Sequence, residues 1–236
     1  MKAKLAVRPV DKSSVTDQVY RQIRDLILDG EIEPGASVTI QSLADAFAVS
    51  AMPVREALHR LTAEKALTVI AGRSVGIPPL SAARLSDLTR VRREVEGLAA
   101  EWAVPNVTAA DIDDLQRLIE RMAKASAAMD RKLFVPANRA FHFRIYERAG
   151  SPTLLAVIEG LWLQISPYFD LLHQVGNWQT ANKCHQAMRD ALAARDGKAA
   201  RQAVLDDIEA ASIALAVLLG VHGNDGETSA VDERSR

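Results

Sequence analysis

The chain has one cysteine, Cys184, among its 236 residues. That excludes an internal disulfide and a cysteine-rich zinc knuckle, and it fits a reducing compartment. No uninterrupted apolar run approaches the ~20 residues of a spanning helix, so no membrane partner is expected. The opening MKAKLAVRPVDKSS is too poor in apolar residues for a secretory signal, which makes the cytoplasm the expected location. No internal repeat is visible. Charge of one sign is missing too: 29 Lys and Arg face 30 Asp and Glu. What is abundant is apolar sequence, at 48%, ample for the core of one or two soluble domains.

The near-neutral balance extends to the N-terminal third. Residues 1–78 hold ten Lys/Arg against nine Asp/Glu, less basic than a domain that lives on phosphate contacts. The cations are gathered, however: four in residues 1–12 and four in residues 50–78. Asp25, Asp29, Glu31 and Glu33 collect the acids elsewhere, so one side can be locally positive.

Residues 43–76, LADAFAVSAMPVREALHRLTAEKALTVIAGRSVG, have the outline of a winged helix-turn-helix. Leu43, Ala44 and Phe47 fall at helical spacing, Val49-Ser50 makes a sharp turn, and Ser50 is placed to cap a second helix starting near Pro53. That helix has an apolar stripe of Val54, Ala57, Leu58 and Leu61. Arg55, His59 and Arg60 are left on other faces, as a groove-reading helix requires. Leu67–Ile70 and Val75–Ile77 are β-prone runs around a turn carrying Arg73, the tip of a wing. Ahead of the motif, Ser14 or Thr16 caps a helix through Val19, Ile23, Leu26 and Ile27 that ends at Gly30. Pro34-Gly35 then leads into a short strand around Val38–Ile40.

Pro78-Pro79 stops regular structure. The expected division is a tail over 1–12, a winged helix over 13–78, a linker over 79–84, an all-helical domain over 85–222 and a disordered tail over 223–236. Within the helical half the periodicity gives helices near 82–104, 109–129, 131–149, 152–166 with a continuation over 167–173, 179–194 and 198–221. Thr108 with Asp111 is a capping box, Gly150-Ser151-Pro152 a stop followed by a start, and Asp196-Gly197 a turn. The fold class is mainly α.

Polar residues recur on the inward faces of these helices. Asn138 and His142 lie four apart beside Phe134, Phe141 and Ile145. His185 shares a line with Ala181, Met188 and Leu192, and Asp207 sits among Ala200, Val204, Ala211 and Leu215, with Asp206 turned ~100° away. A core histidine alone is usually a hydrogen-bonded interior group. A buried carboxylate is costly unless paired, and a divalent cation shared with two neutral imidazoles supplies the pairing. The oxygen-rich donor set favours zinc, nickel or manganese over copper. Cys184 is turned ~100° from His185 and is not expected to ligate. Trp102, Trp162 and Tyr168 are expected in core or dimer packing.

Four segments in order, LILDGEIEPG, LADAFAVSAMPVREALHRL, VRREVEGLAAEWA and NRAFHFRIYERAG, are similar to the GntR transcriptional regulators. The resemblance is to the FadR-like group, whose C-terminal half is the helical FCD domain. It implies a homodimer that binds double-stranded operator DNA and responds to a small carboxylate effector. Family members carry a basic residue where Gln41 stands, and Arg and Thr where Ala51 and Met52 stand, while Pro53, Val54 and Arg55 match. The guanine-reading role then falls to Arg55, with Ser50, Arg60 and Arg73 as further contacts. In the FCD pattern an Asp-His pair on one helix is joined by a His on each of two later helices. Here Asn138 replaces the Asp and Asp207 the last His, so the ligand charge is unchanged. Arg92 corresponds to the arginine that holds an effector carboxylate; read without the family, it is a helix-surface pair with Glu96. No nucleophile with an orienting base is visible, so an enzyme is not expected.

Overall fold

The computed structural model describes residues 15–71 and 74–220. The tails expected over 1–12 and 223–236, Ser14 and the wing-tip Arg73 lie outside them. Among the described residues the chain runs α1 (Val15–Leu28), β1 (Ser37–Thr39), α2 (Ile40–Phe47), α3 (Ala51–Ala63), β2 (Thr68–Ala71) and β3 (Ser74–Gly76). It continues through α4 (Ala82–Ala103), α5 (Ala109–Ala127), α6 (Arg131–Glu147), α7 (Pro152–Ile165), a 3-10 helix (Ser166–Val175), α8 (Asn177–Ala193) and α9 (Gly197–Leu218). This is a winged helix-turn-helix followed by a helical bundle.

In the N-terminal part, Val54, Ala57, Leu58 and Leu61 of α3 are buried with Val19, Ile23 and Ile27 of α1, so α1 covers the back of α3. Thr39 and Ser42 form a capping box that starts α2, which moves Ile40 from the expected strand into a helix. Ala48 closes α2 in the left-handed region at φ 53°. Helix α3 begins at Ala51, earlier than Pro53; the proline sits in the first turn, where its missing N–H had no helical partner in any case. Ser50 is the N-cap residue, yet its side chain makes no capping bond. Thr16 lies inside α1 and donates to Glu56 of α3 at 3.1 Å, so it is not the cap. The three strands form an antiparallel sheet in the order β1-β3-β2. Gly76 is required in it, because a Cβ there would lie 2.4 Å from the Ala36 carbonyl oxygen.

The helical half follows its caps. Thr108 and Asp111 form the capping box of α5, and Ser81, Asp130, Ser151 and Asp196 cap α4, α6, α7 and α9 through their side chains. Helix α9 packs closely along α4. Gly97 of α4 faces α9, where an added Cβ would meet the Leu205 side chain at 2.6 Å. Gly176, at φ 67°, ends the 3-10 helix and opens α8, a backbone turn that suits glycine. Trp162 and Tyr168 are core residues, whereas Trp102 is 47% exposed on α4 and is no part of the core of the chain.

Ion pairs join the two halves. Arg139 of α6 reaches Asp25 at 3.1 Å and Asp29 at 3.2 Å on α1 and just beyond it, and Arg24 reaches Glu159 of α7 at 2.7 Å. Arg131 bridges Glu33 at 3.1 Å and Asp170 of the 3-10 helix at 2.7 Å. The Tyr168 hydroxyl donates to the carbonyl of Pro78, between β3 and α4.

Candidate metal centre and DNA-reading face

Helices α6, α8 and α9 bring His142, His185 and Asp207 together. One donor atom from each lies within 4.8 Å of the others. The two Nε2 atoms are 3.2 Å apart, and the Asp207 carboxylate is 3.4 Å from His142 Nε2 and 3.8 Å from His185 Nε2. Both imidazoles are buried, and the Asp207 side chain is 12% exposed. Asn138, one turn before His142, lines the same cavity. Asp206 is exposed and accepts from Gln202 at 2.7 Å, so the face assignment holds. Cys184 is not in the cluster.

A chain of hydrogen bonds fixes the tautomer of His142. Arg92 donates to Glu96 from Nε at 2.7 Å and from Nη2 at 3.4 Å, and the Tyr146 hydroxyl donates to Glu96 Oε2 at 2.6 Å. That hydroxyl has spent its one proton, so towards His142 Nδ1, 3.1 Å away, it is the acceptor. His142 therefore carries its proton on Nδ1 and turns a bare Nε2 to the cluster, the orientation that outer partners impose on metal-binding histidines. Tyr146 lies one turn beyond His142, so Asn138, His142 and Tyr146 form one stripe. The spacing could have drawn attention to it; its link to Glu96 on α4 could not be seen from spacing.

The electrostatics suit a cation. Burial, then His185 and then Arg92, hold the His142 imidazole well below the ordinary histidine range. Burial takes His185 down to about 3. Both rings are thus neutral, the state in which imidazole ligates. Burial pushes the Asp207 carboxyl up to about 7, with Arg92 opposing the rise and Glu96 adding to it. His185 Nδ1 is enclosed and has no hydrogen-bond partner among the described residues. Two neutral nitrogens and a carboxylate around one point fit a first-row divalent ion.

Arg92 and Glu96 form a buried pair, with side-chain exposures of 6% and 0%, so the surface-pair reading is replaced. Arg92 also lines the cavity, beside Phe134, Trp162 and Trp178. Phe134 and Trp178 stack at 4.1 Å with planes 4° apart.

On the winged helix the expected contacts separate into two groups. Met52, Arg55 and His59 share an exposed face of α3, and no hydrogen bond or ion pair joins Arg55 to the described residues. Pro53 stands half-buried at the start of that helix, next to exposed Ser50. Arg60 is directed toward α1: its guanidinium stacks 3.8 Å over the Tyr20 ring, bonds Glu64 at 3.3 Å and lies 3.7 Å from Asp17. Gln41 is exposed, but its amide donates to Asp45 at 2.7 Å.

Both halves of the chain match known families. Residues 15–77 match the family of bacterial regulatory proteins, gntR family, and residues 87–210 match the FCD domain. The HTH-type transcriptional regulator McbR of Escherichia coli is 34% identical over 164 residues, covering 70% of this chain and 74% of that protein. The galactonate operon transcriptional repressor of the same organism is 23% identical over 221 residues, covering 80% and 92%. The solved structure of E. coli McbR/YncC superposes with a TM-score of 0.77 at 29% identity, over 84% of this chain and 95% of that one. The chain is a GntR-family transcriptional regulator of the FadR-like group, with an N-terminal helix-turn-helix domain and a C-terminal FCD domain.

Proposed function

We propose that the protein is a ligand-responsive regulator that binds operator DNA as a homodimer, and that a small carboxylate effector docks beside a divalent metal in its helical domain. The observation that carries the sensor half is the convergence of His142, His185 and Asp207 from three helices, two of which, His142 and Asp207, also line a cavity. These residues, with Asn138 beside them, would hold the ion. When bound, the ion supplies a positive, Lewis-acidic centre for a carboxylate. Zinc, nickel and manganese all suit the donors. The relatives bear the names of transcriptional regulators and repressors, which supports a role without catalysis. Among the described residues no helix is long and apolar enough to cross a membrane, in keeping with work on DNA in the cytoplasm.

In the DNA-reading head, Arg55 is the base-reading residue. Its guanidinium, without a partner among the described residues, lies on an exposed face of α3 and suits bidentate contact with guanine. Ser50 and Pro53 set the helix start, and Gln41, Arg60 and Arg73 contact the backbone. The dimer is supported by Val91, Val95, Leu98 and Trp102, an apolar stripe along α4 whose ends are 39% and 47% exposed. Ile213 and Val217 of neighbouring α9 are 58% and 52% exposed. The effector signal passes along α6, which faces the cavity with Asn138 and His142 and holds Asp25 and Asp29 with Arg139.

A second reading is favoured by one distance. The 3.2 Å contact between the Nε2 atoms is a hydrogen bond if His185 carries its proton there, so the same residues can form a metal-independent network around an organic ligand. Elemental analysis of protein purified without chelator separates the two. One equivalent of metal per chain, lost in His142→Ala, is the expected result, and metal-free protein that still responds to carboxylates would favour the network.

A further inference from the structure

The cavity has a volume of about 430 Å³ including its mouth. That is the small end of ligand-binding pockets and suits a compact molecule. Among the described residues that line it, Arg92 is the cation and Asp207 the anion. Arg92 is not a spare positive charge, because Glu96, fully buried, accepts two hydrogen bonds from it. The side-on bonds through Nε and Nη2 leave Nη1 for a ligand.

We infer that the effector is a compact monocarboxylate with an apolar remainder, and that dicarboxylates are excluded by charge. The inference rests on the metal and carboxylate reading given above. The charges of the Arg92–Glu96 ion pair cancel, and an imidazole that ligates a metal does so in its neutral form. A divalent ion with the Asp207 carboxylate therefore leaves one net positive charge. One carboxylate neutralises it; a second would be buried without a countercharge, a severe penalty away from water. The remainder of the ligand meets the Phe134–Trp178 stack, Trp162 and Phe169, which offer apolar contact. Arg92 contributes a hydrogen-bond donor that orients the carboxylate, and Glu96 sets how many negative charges the site accepts.

The test is a thermal-shift and calorimetric comparison of matched acids on the full-length protein: propionate against succinate, and benzoate against phthalate. Each pair is measured with one equivalent of zinc and with excess chelator. Stabilisation by the monocarboxylates in the zinc-loaded protein, at least about tenfold weaker for their dicarboxylate partners, is expected, since a unit charge ~6 Å away at an effective dielectric near 20 corresponds to roughly a hundredfold before screening at the mouth. Dicarboxylates binding as tightly as monocarboxylates overturn the inference while leaving the carboxylate site intact. Monocarboxylates binding equally with chelator overturn the charge balance. No response to any acid overturns the carboxylate site itself and the inference with it. Glu96→Gln, if folded by circular dichroism, is expected to narrow the gap between partners at least about tenfold; the wild-type comparison decides the matter should that variant not fold.

Discussion

The two halves of this regulator treat charge in opposite ways. In the helical half the functional groups are enclosed and joined to one another, from Arg92 through Glu96 and Tyr146 to His142. In the winged helix the reading face of α3 is left outside any such circuit, and Arg55 is exposed with no described partner. On the proposed function, the residue that meets DNA is free of duties in the fold, whereas those that would hold an ion are fixed by neighbours. Mutations in the two halves should therefore differ in kind: in the sensor, stability and binding fall together, and on α3 they come apart.

The sharpest test of that contrast is Glu96→Ala. It leaves the buried Arg92 charge unpaired and is expected to cost ~3–5 kcal/mol in denaturant unfolding. A loss under ~1 kcal/mol would mean that Arg92 finds water or another acid, and the closed circuit would not be essential. Tyr146→Phe is gentler. It removes the acceptor that holds the Nδ1 proton of His142, and metal affinity measured against a competing chelator should fall ~10–100-fold.

On the other side of the comparison, Arg55→Ala should lose ~1–3 kcal/mol of operator discrimination, roughly 5- to 150-fold in a competition gel shift. Its unfolding free energy should stay within ~0.5 kcal/mol of wild type. Full retention of operator preference would remove Arg55 from the reading face.

Acid offers a further contrast within the sensor itself. Asp207, raised to about 7 by burial, must release its proton to bind a metal, whereas His185, lowered to about 3, and His142 are already bare. Metal affinity should then fall about tenfold per pH unit below ~7 and level off above it, the signature of one proton. In metal-free protein the signs for stability are opposed. Asp207 binds its proton more tightly folded than unfolded, so its contribution is present below the unfolded carboxyl range and lost as pH rises through about 7. The imidazoles bind theirs less tightly when folded, and weaken the fold as pH drops below the ordinary histidine range. Calorimetry in buffers of different ionisation enthalpy counts the protons directly.

How much of this was legible in the sequence depends on the range of the interaction. The α3 stripe, the Thr108–Asp111 box and the inward faces of His142, His185 and Asp207 are local matters of helical period, and the structure places them as the spacing implies. The joining of Tyr146 to Glu96, fifty positions apart in the chain, depends on how α6 packs against α4, which no spacing encodes. The start of α3 at Ala51 was hidden because Pro53 reads as a first residue while a third is equally tolerant of the missing N–H. Arg92 illustrates a mixed case. Its partner was visible at four residues' distance, but the surroundings that turn a surface pair into a closed unit come from Tyr146 of α6, Trp162 of α7 and Phe169 of the 3-10 helix.

Arg60 is the residue on which the comparison between halves is weakest, and its variant should have the smallest effect. Unlike Arg55, it braces the fold by stacking on Tyr20 and bonding Glu64, yet more than half of its side chain, 54%, remains exposed. Arg60→Ala gives up an exposed cation–π contact and an exposed ion pair, together ~0.5–1 kcal/mol of stability. If it also touches a phosphate, operator affinity falls evenly across sequences and the salt dependence of binding drops by about one ion. A loss of sequence preference in Arg60→Ala would place it on the bases beside Arg55, and the separation of bracing from reading on α3 would fail; an unchanged salt slope would make it a brace alone.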